Sequence, residues 1–291
     1  MAAHGLRVLA LAHRPPESPA PRMEDALVFA GLIGLEDPPR PEVSEAIRRC
    51  REAGIKVVMV TGDHPRTALA VARRIGLVHS DAPLMVSGAR LRDMSDTQLQ
   101  LALDAGEIIF ARVGADQKLR IVEALKHKQQ IVAVTGDGVN DAPALKSAHI
   151  GIAMGIGGTD VAKAAADVVL LDDNFASIVA AVEEGRAVFR NIRKLLTYIL
   201  AHNMAELMPY LGFVLFRIPL ALTPVQMLAI DMGTDSLTAL GLGVERPNPR
   251  NMQPPPRPVR EPLLTSCRWS MRFCAGATAG PCSRPVCAAI V

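Results

Sequence analysis

The chain has 291 residues, 49% hydrophobic and only 3% aromatic, and 32 basic against 29 acidic side chains give a net charge of +3. That length leaves room for one or two domains and a sizeable core. The charge is too small to argue for a nucleic-acid partner. The seven histidines are scattered without metal-ligand spacing, so each reads as a structural residue.

In chain order, residues 5–12 are a short apolar run and residues 14–22 a proline-rich linker. Residues 27–34 are a strand candidate. A helix opens at Pro41, with Glu42 and Glu45 in its first turn, and stops at Gly54. Strands follow at 55–60, 85–87, 108–111, 131–134, 150–153 and 168–171. Helices are expected from the first turn to about 76, at 96–105 and at 116–127. Strands and helices alternating on this scale predict an α/β fold with a doubly wound parallel sheet.

Two of those strands end in turns of the same chemistry. One is Thr61-Gly62-Asp63, and the other is Thr135-Gly136-Asp137-Gly138-Val139-Asn140-Asp141. The carboxyl ends of strands in open α/β sheets are where ligands bind. Threonine donates to a phosphate oxygen, and glycine lets the backbone approach closely. Asp63, Asp137 and Asp141 are hard oxygen donors suited to Mg²⁺. Gly and Asp are common in ordinary turns, but the seven-residue segment is far more specific and points to metal-assisted phosphoryl chemistry.

A long helix is expected from Phe175, leading into two apolar stretches, 195–216 and 219–244, separated by Arg217-Ile218. Each is long enough to cross a bilayer, which takes about 20 residues. Arg186, Arg190, Arg193 and Lys194 precede them; Arg246, Arg250, Arg257 and Arg260 follow. Basic outer flanks place both ends of such a hairpin in the cytoplasm, and no signal peptide precedes it. Core helices of a soluble protein are the alternative. Glu206 stands mid-way along the first stretch with Asn203 three residues before it, and Asp231, Thr234 and Asp235 stand in the second. Carboxylates within a bilayer are functional candidates. Gly233, between the two aspartates, permits local unwinding that would expose carbonyl ligands. Cys50 reads as a small buried residue. Cys267, Cys274, Cys282 and Cys287 fit neither a zinc pattern nor a disulfide framework. Residues 266–291 are expected to be a poorly ordered, aberrant tail.

Taken together, these motifs resemble the carboxyl-terminal part of a P-type cation-transporting ATPase. The order is Leu35-Glu36-Asp37-Pro38-Pro39-Arg40, Val60-Thr61-Gly62-Asp63, then Ala111-Arg112-Val113 with Lys118, then the seven-residue segment. Ile150-Gly151-Ile152-Ala153-Met154-Gly155, Asp172-Asp173-Asn174-Phe175, Val182-Glu183-Glu184-Gly185-Arg186 and Asp231-Met232-Gly233-Thr234-Asp235 complete it. The likeness covers residues 5–265. It implies a haloacid-dehalogenase-like sheet followed by a transmembrane hairpin. The divisions would be a nucleotide-domain remnant and linker (1–25), part of the phosphorylation domain (26–175), a stalk helix and hairpin (176–245) and a connection and tail (246–291).

The resemblance also implies roles. Asp137 would bind Mg²⁺ with Asp141 in support. Asn140, Thr61, Gly62 and Lys118 would hold phosphoryl oxygens, and Asp63 would organise the nucleotide end. Asn203, Glu206, Asp231, Thr234 and Asp235 would bind the transported cation. The cofactors would be Mg²⁺ and ATP; the partners are membrane lipid, the cation and a separately encoded amino-terminal half. The family's phosphorylated aspartate lies in an Asp-Lys-Thr-Gly-Thr segment, which this sequence lacks. The strand bearing it is central in the family sheet, so that strand is expected to be missing here, with three outcomes open: the flanking strands close on each other, another segment such as residues 5–12 fills the gap, or the sheet stays split. Activity of the chain alone is not expected, because covalent catalysis needs its nucleophile. The alternatives are a free-standing haloacid-dehalogenase-type phosphatase, which would need an Asp-x-Asp the chain lacks, and a non-catalytic half of a split pump.

Overall fold

A computed structural model describes residues 6–14, 27–35, 38–216, 219, 223–248, 252–253 and 286–290. They divide into two compact units, Met1–Ser177 with Arg284–Val291, and Ile178–Ser283.

In the first unit, β1 (Arg7–His13) pairs antiparallel with β2 (Val28–Leu35) as a separate two-stranded sheet. The boundary expected at residue 25/26 therefore falls between two strands that pair with each other. The chain then runs α1 (Glu42–Glu52), β3 (Lys56–Thr61), α2 (Pro65–Arg74), β4 (Leu84–Ser87), α3 (Gly88–Asp93), α4 (Asp96–Ala102) and β5 (Ile108–Ala111). It continues through α5 (Ala115–His127), β6 (Ile131–Gly136), a single 3₁₀ turn (Val139–Asp141) and α6 (Ala142–Ser147). The last elements are β7 (Ile150–Met154), α7 (Asp160–Ala165) and β8 (Val168–Leu170). Gly54 and Gly76 follow α1 and α2 at φ +71°, left-handed positions that only glycine takes without strain. Helix α3, not foreseen, starts where the Ser87 hydroxyl caps the Arg90 amide.

The main sheet has seven strands, all parallel, in the order β4-β5-β3-β9-β6-β7-β8, where β9 is Val286–Ile290. The fold is the expected haloacid-dehalogenase-like α/β sheet. Of the three outcomes for the central gap, another segment fills it, and that segment is β9 rather than residues 5–12. A five-residue apolar run is enough to pair the backbone groups that an empty slot would leave orphaned. The tail was expected to lack order, and its residues 286–290 instead form this strand. The expectations for 266–285 lie outside the described residues, as do residues 15–22 of the linker and Arg217-Ile218.

Strands β3, β5 and β6 are largely buried and read as near-continuous apolar runs rather than alternating ones. All four residues of β5 are buried, and Phe110, Val58, Val86, Val132 and Val134 pack in one core with Leu91, Leu99, Ile121, Leu125 and Leu145 from the helices.

The second unit is built on α8 (Phe175–Phe216) and α9 (Pro224–Gly243). Helix α8 has 42 residues, about 63 Å at 1.5 Å per residue. Among the described residues it alone is long and apolar enough to cross a membrane. The two helices run antiparallel. Asn191 Nδ2 donates to the Glu245 carbonyl at 2.9 Å, Lys194 meets the Glu245 carboxylate at 2.5 Å, and Tyr210 Oη donates to Met227 Sδ at 3.1 Å. Thr223 caps α9 reciprocally with Gln226. Helix α9 stays helical through Gly233, so the unwinding that this glycine permits is not taken up. A helical glycine weakens a helix without breaking it.

Candidate functional site

The first site lies at the carboxyl edge of the parallel sheet, where the chain turns outward in both directions from β9. Met59 of β3 and Thr135 of β6 both pair with Ile290. Thr61 and Asp137 therefore each lie two residues further along, on opposite sides of the centre. Such a switch point forms a crevice for ligands.

Each side chain there is held by local structure. The Asp63 amide donates to Thr61 Oγ1 at 3.1 Å, which leaves the hydroxyl proton free for an outside acceptor. The Val113 amide donates to the Thr61 carbonyl and the Arg112 amide to the Asp63 carbonyl, at 3.2 and 3.0 Å. Arg112 takes a left-handed φ of 53° to do so. A Cβ built on Gly62 would meet no atom within 4 Å, so a ligand can approach its backbone. Gln117 is buried and bridges the Gly114 amide to the Gly88 carbonyl, which fixes the first turn of α5. Lys118 is the next residue. Its Nζ meets Asp141 Oδ1 at 2.5 Å, with side-chain exposures of 11% and 5%. The other Asp141 oxygen accepts from the Gly138 amide at 3.1 Å. A Cβ on Gly136 would come within 2.6 Å of the Asp141 Cβ, so glycine is required for this packing.

Asp137, Asn140 and Asp63 are exposed at this edge. The Asp137 carbonyl accepts from both the amide and the hydroxyl of Thr159, at 2.8 and 3.1 Å. The loop before Thr159 is held by Asp173, whose carboxylate accepts from the amides of Gly155, Ile156 and Gly157 at 2.6, 3.0 and 2.6 Å. The Ile156 and Gly157 bonds hold the Asp173 carboxyl below the usual carboxylate range, with Gly155 and the Arg40 charge adding to them. Arg40 also donates to the Asp172 carbonyl at 2.9 Å. Asp173 and Arg40 thus act as positioning residues, which the motifs contained without revealing how. Thr135 Oγ1 is buried and has no hydrogen-bond partner.

The hard oxygens of Asp137 and Asp141 suit Mg²⁺. No group of three or more carboxylates, histidines or cysteines comes together at this edge among the described residues. The donor set fits the ion while leaving ligand positions for other groups.

The second site is on α8 and α9. His202, Asp231 and Asp235 each offer a ligand atom within 4.8 Å of the others. His202 Nδ1 lies 3.2 Å from Glu206 Oε1 and 3.8 Å from Asp235 Oδ1, and the Glu206 carboxyl lies beside that of Asp231. His202 Nδ1, Asp231 Oδ1 and Asp235 Oδ1 are buried without a hydrogen-bond partner. The order is that of an antiparallel helix pair. His202, Glu206 and Tyr210 step down α8 by fours against Asp235, Asp231 and Met227. Asn203 and Thr234 are exposed, and the Thr234 hydroxyl donates to the Ile230 carbonyl at 2.8 Å. The structure thus brings together three of the five expected residues and adds His202, which had been read as structural. Its one sequence signal is its place four residues before Glu206.

The haloacid dehalogenase-like hydrolase family matches residues 10–149 and, in a second form, 117–182; the cation transporting ATPase C-terminus family matches residues 219–283. The chain is 46% identical over 265 residues to a calcium-transporting ATPase of Bacillus subtilis, covering 90% of this chain and 30% of that protein. It is 47% identical over 274 residues to a sodium/potassium-transporting ATPase subunit alpha of Drosophila melanogaster, covering 86% and 26%. A Hydra vulgaris subunit alpha is 46% identical over 277 residues, covering 86% and 27%. The chain thus spans less than a third of the length of these relatives. With its motif order, its haloacid-dehalogenase-like sheet and its long apolar helix, the chain matches the carboxyl-terminal part of the P-type cation-transporting ATPases.

Proposed function

We propose that this chain is the phosphorylation-site and ion-site portion of an ATP-driven cation pump, inactive until another chain segment supplies the aspartate that receives the phosphoryl group. The observation that carries this reading is the sheet edge, where Thr61, Gly62, Lys118, Asp137 and Asp141 gather around the end of a central strand. Phosphoryl transfer demands chiefly positioning and charge neutralisation. The Thr61 hydroxyl and Gly62 amide would donate to phosphoryl oxygens, joined by Asn140. Lys118 has protons beyond the one on Asp141 and would place its charge on the same oxygens. Asp63 would organise the nucleotide side. Asp137 and Asp141 would hold Mg²⁺, which supplies neutralisation of the phosphoryl charge.

The transported cation would bind His202, Glu206, Asp231 and Asp235. In this reading α8 and α9 are a membrane hairpin with both outer ends cytoplasmic, supported by Arg190, Arg193, Lys194 and Arg246. The imidazole broadens the donor set beyond hard alkali and alkaline-earth ions towards borderline divalent ones.

The test is a chimera in which residues 5–265 replace the matching region of the Bacillus subtilis calcium-transporting ATPase. ATP-dependent divalent-cation uptake into vesicles is expected from the chimera, and no hydroxylamine-sensitive ³²P labelling from ATP in the chain alone. Labelling of the chain alone, or a chimera that folds and hydrolyses nothing, refutes the proposal.

A further inference from the structure

The contacts between α8 and α9 keep one register along the pair. Asn191 meets Glu245, His202 approaches Asp235, Glu206 lies beside Asp231, and Tyr210 meets Met227. The two middle rungs carry one imidazole and three carboxylates, and the two outer rungs close the helices on either side of them. The Thr234 hydroxyl is taken by the Ile230 carbonyl, and α9 stays helical through Gly233. What these helices bring together is therefore a set of side chains, and one of its donors is nitrogen. The His202 ring stacks on Tyr198, one turn earlier on α8, with ring centroids 5.8 Å apart and planes 16° from parallel. That stack orients the imidazole. Its Nδ1 is the atom turned to the carboxylates, 3.2 Å from Glu206 Oε1 and 3.8 Å from Asp235 Oδ1. It is buried without a hydrogen bond, as are Asp231 Oδ1 and Asp235 Oδ1. Four donors arranged tetrahedrally about 2.0–2.1 Å from a metal lie about 3.4 Å from one another. The two observed spacings fall on either side of that value.

We propose that the ion taken between α8 and α9 is a borderline divalent transition metal of the Zn²⁺ class, ligated by His202 Nδ1 and the carboxylates of Glu206, Asp231 and Asp235, and that His202 selects it over Ca²⁺, Na⁺ and K⁺. This rests on the pump reading given above, which puts the cation on these two helices. Ca²⁺ takes about six to eight oxygens in a flexible shell. Zn²⁺ is satisfied by about four nitrogen or oxygen donors, and an imidazole nitrogen raises affinity for the later transition metals far more than for hard ions. The chain would then share these helices with relatives named for calcium and for sodium and potassium while taking a different ion. The site residues have distinct parts in this. The carboxylates supply charge that any cation would use, and the imidazole supplies the preference.

The test uses the full chain in detergent. Accessible thiols are first alkylated with N-ethylmaleimide, because the five cysteines would compete for the metal. Zn²⁺, Co²⁺ and Ca²⁺ are then titrated by calorimetry, and Co²⁺ also by visible absorption. Zn²⁺ should bind about a hundredfold or more tighter than Ca²⁺, and Co²⁺ should develop the intense bands of a four-coordinate site. Asp231→Asn should weaken Zn²⁺ by about tenfold or more and remove the Co²⁺ bands. His202→Ala should shrink the preference for Zn²⁺ over Ca²⁺ by about tenfold or more. His202→Asn repeats that comparison if the alanine variant loses helical circular dichroism. Ca²⁺ binding as tight as that of Zn²⁺, or a Zn²⁺ preference unchanged by loss of the imidazole, overturns the inference and leaves the pump reading standing. Zn²⁺ binding untouched by Asp231→Asn puts the metal elsewhere and overturns it too. If none of the three ions binds, the cation site of the pump reading fails together with the inference.

Discussion

At the sheet edge the buried charges are already partnered, Lys118 with Asp141 and Asp141 with the Gly138 amide. Along α8 and α9, His202 Nδ1, Asp231 Oδ1 and Asp235 Oδ1 are buried without a hydrogen bond, with only the Glu206 carboxylate approaching His202 Nδ1, at 3.2 Å. The first arrangement holds its shape without a ligand, because each charge is neutralised within the protein. The second gathers like charges, an arrangement that is costly until a cation is shared among them. The lesson is that fold stability and ligand binding are invested in different places. Removing a group from the first region should cost structure; removing one from the second should cost affinity.

The largest expected effect is at Lys118. Lys118→Met leaves Asp141 buried and unpaired and should lower unfolding free energy by about 3–5 kcal/mol. Urea unfolding followed by amide exchange in the sheet strands β3 to β7 measures it, and a loss below about 1 kcal/mol would end the claim that this pair is structural. Next is Gly136→Ala, where the new methyl would press on Asp141. About 1–3 kcal/mol should be lost, as in overpacked cores.

In the second region the sign of the comparison reverses. Asp231→Asn and His202→Ala should each leave thermal stability within about 0.5 kcal/mol. Mn²⁺ and Ca²⁺ binding, followed by calorimetry on the detergent-solubilised chain, should weaken by about tenfold or more. His202→Ala should weaken Mn²⁺ more than Ca²⁺; equal losses would remove histidine from the donor set.

The smallest effect concerns pH. The Asp173 carboxyl is depressed by the amides of Ile156 and Gly157 and, less, of Gly155. The folded state therefore binds its proton more weakly than the unfolded state. The stabilisation is fully present above the ordinary aspartate range, near 3.9, and is lost as pH falls through the lower folded value. Asp173→Asn, which tolerates the left-handed φ of 49°, should flatten that acid limb in melting curves taken from pH 5 to 2. A variant with an unchanged limb would show that the loop is held by other contacts.

Much of the sheet was legible because its signals are local. Apolar runs, the glycine stops after α1 and α2, and the two threonine–glycine–aspartate turns each depend on a few adjacent residues. Lys118 was legible only through its place after Ala111-Arg112-Val113. What escaped was non-local. Val286–Ile290 is five apolar residues in a cysteine-rich stretch, and nothing nearby says that it pairs with strands more than 150 positions away. His202 becomes a candidate ligand only once α9 is laid antiparallel beside α8. Gly233 misled for the opposite reason: glycine permits unwinding but does not demand it. The loop-holding role of Asp173 depends on amides that lie 16 to 18 residues before it.

The two-stranded ribbon of β1 and β2 has its own consequence. Leu9, Leu11, Phe29, Leu32, Ile33 and Leu35 are all exposed on it. A two-stranded ribbon is marginal in water and keeps both outer edges open. In a cell, such a ribbon is the kind of surface that chaperones hold and proteases survey. The lifetime of this chain would then be set by what covers those six side chains, and clearance would begin at β1 and β2 even while the core around Phe110 stayed folded.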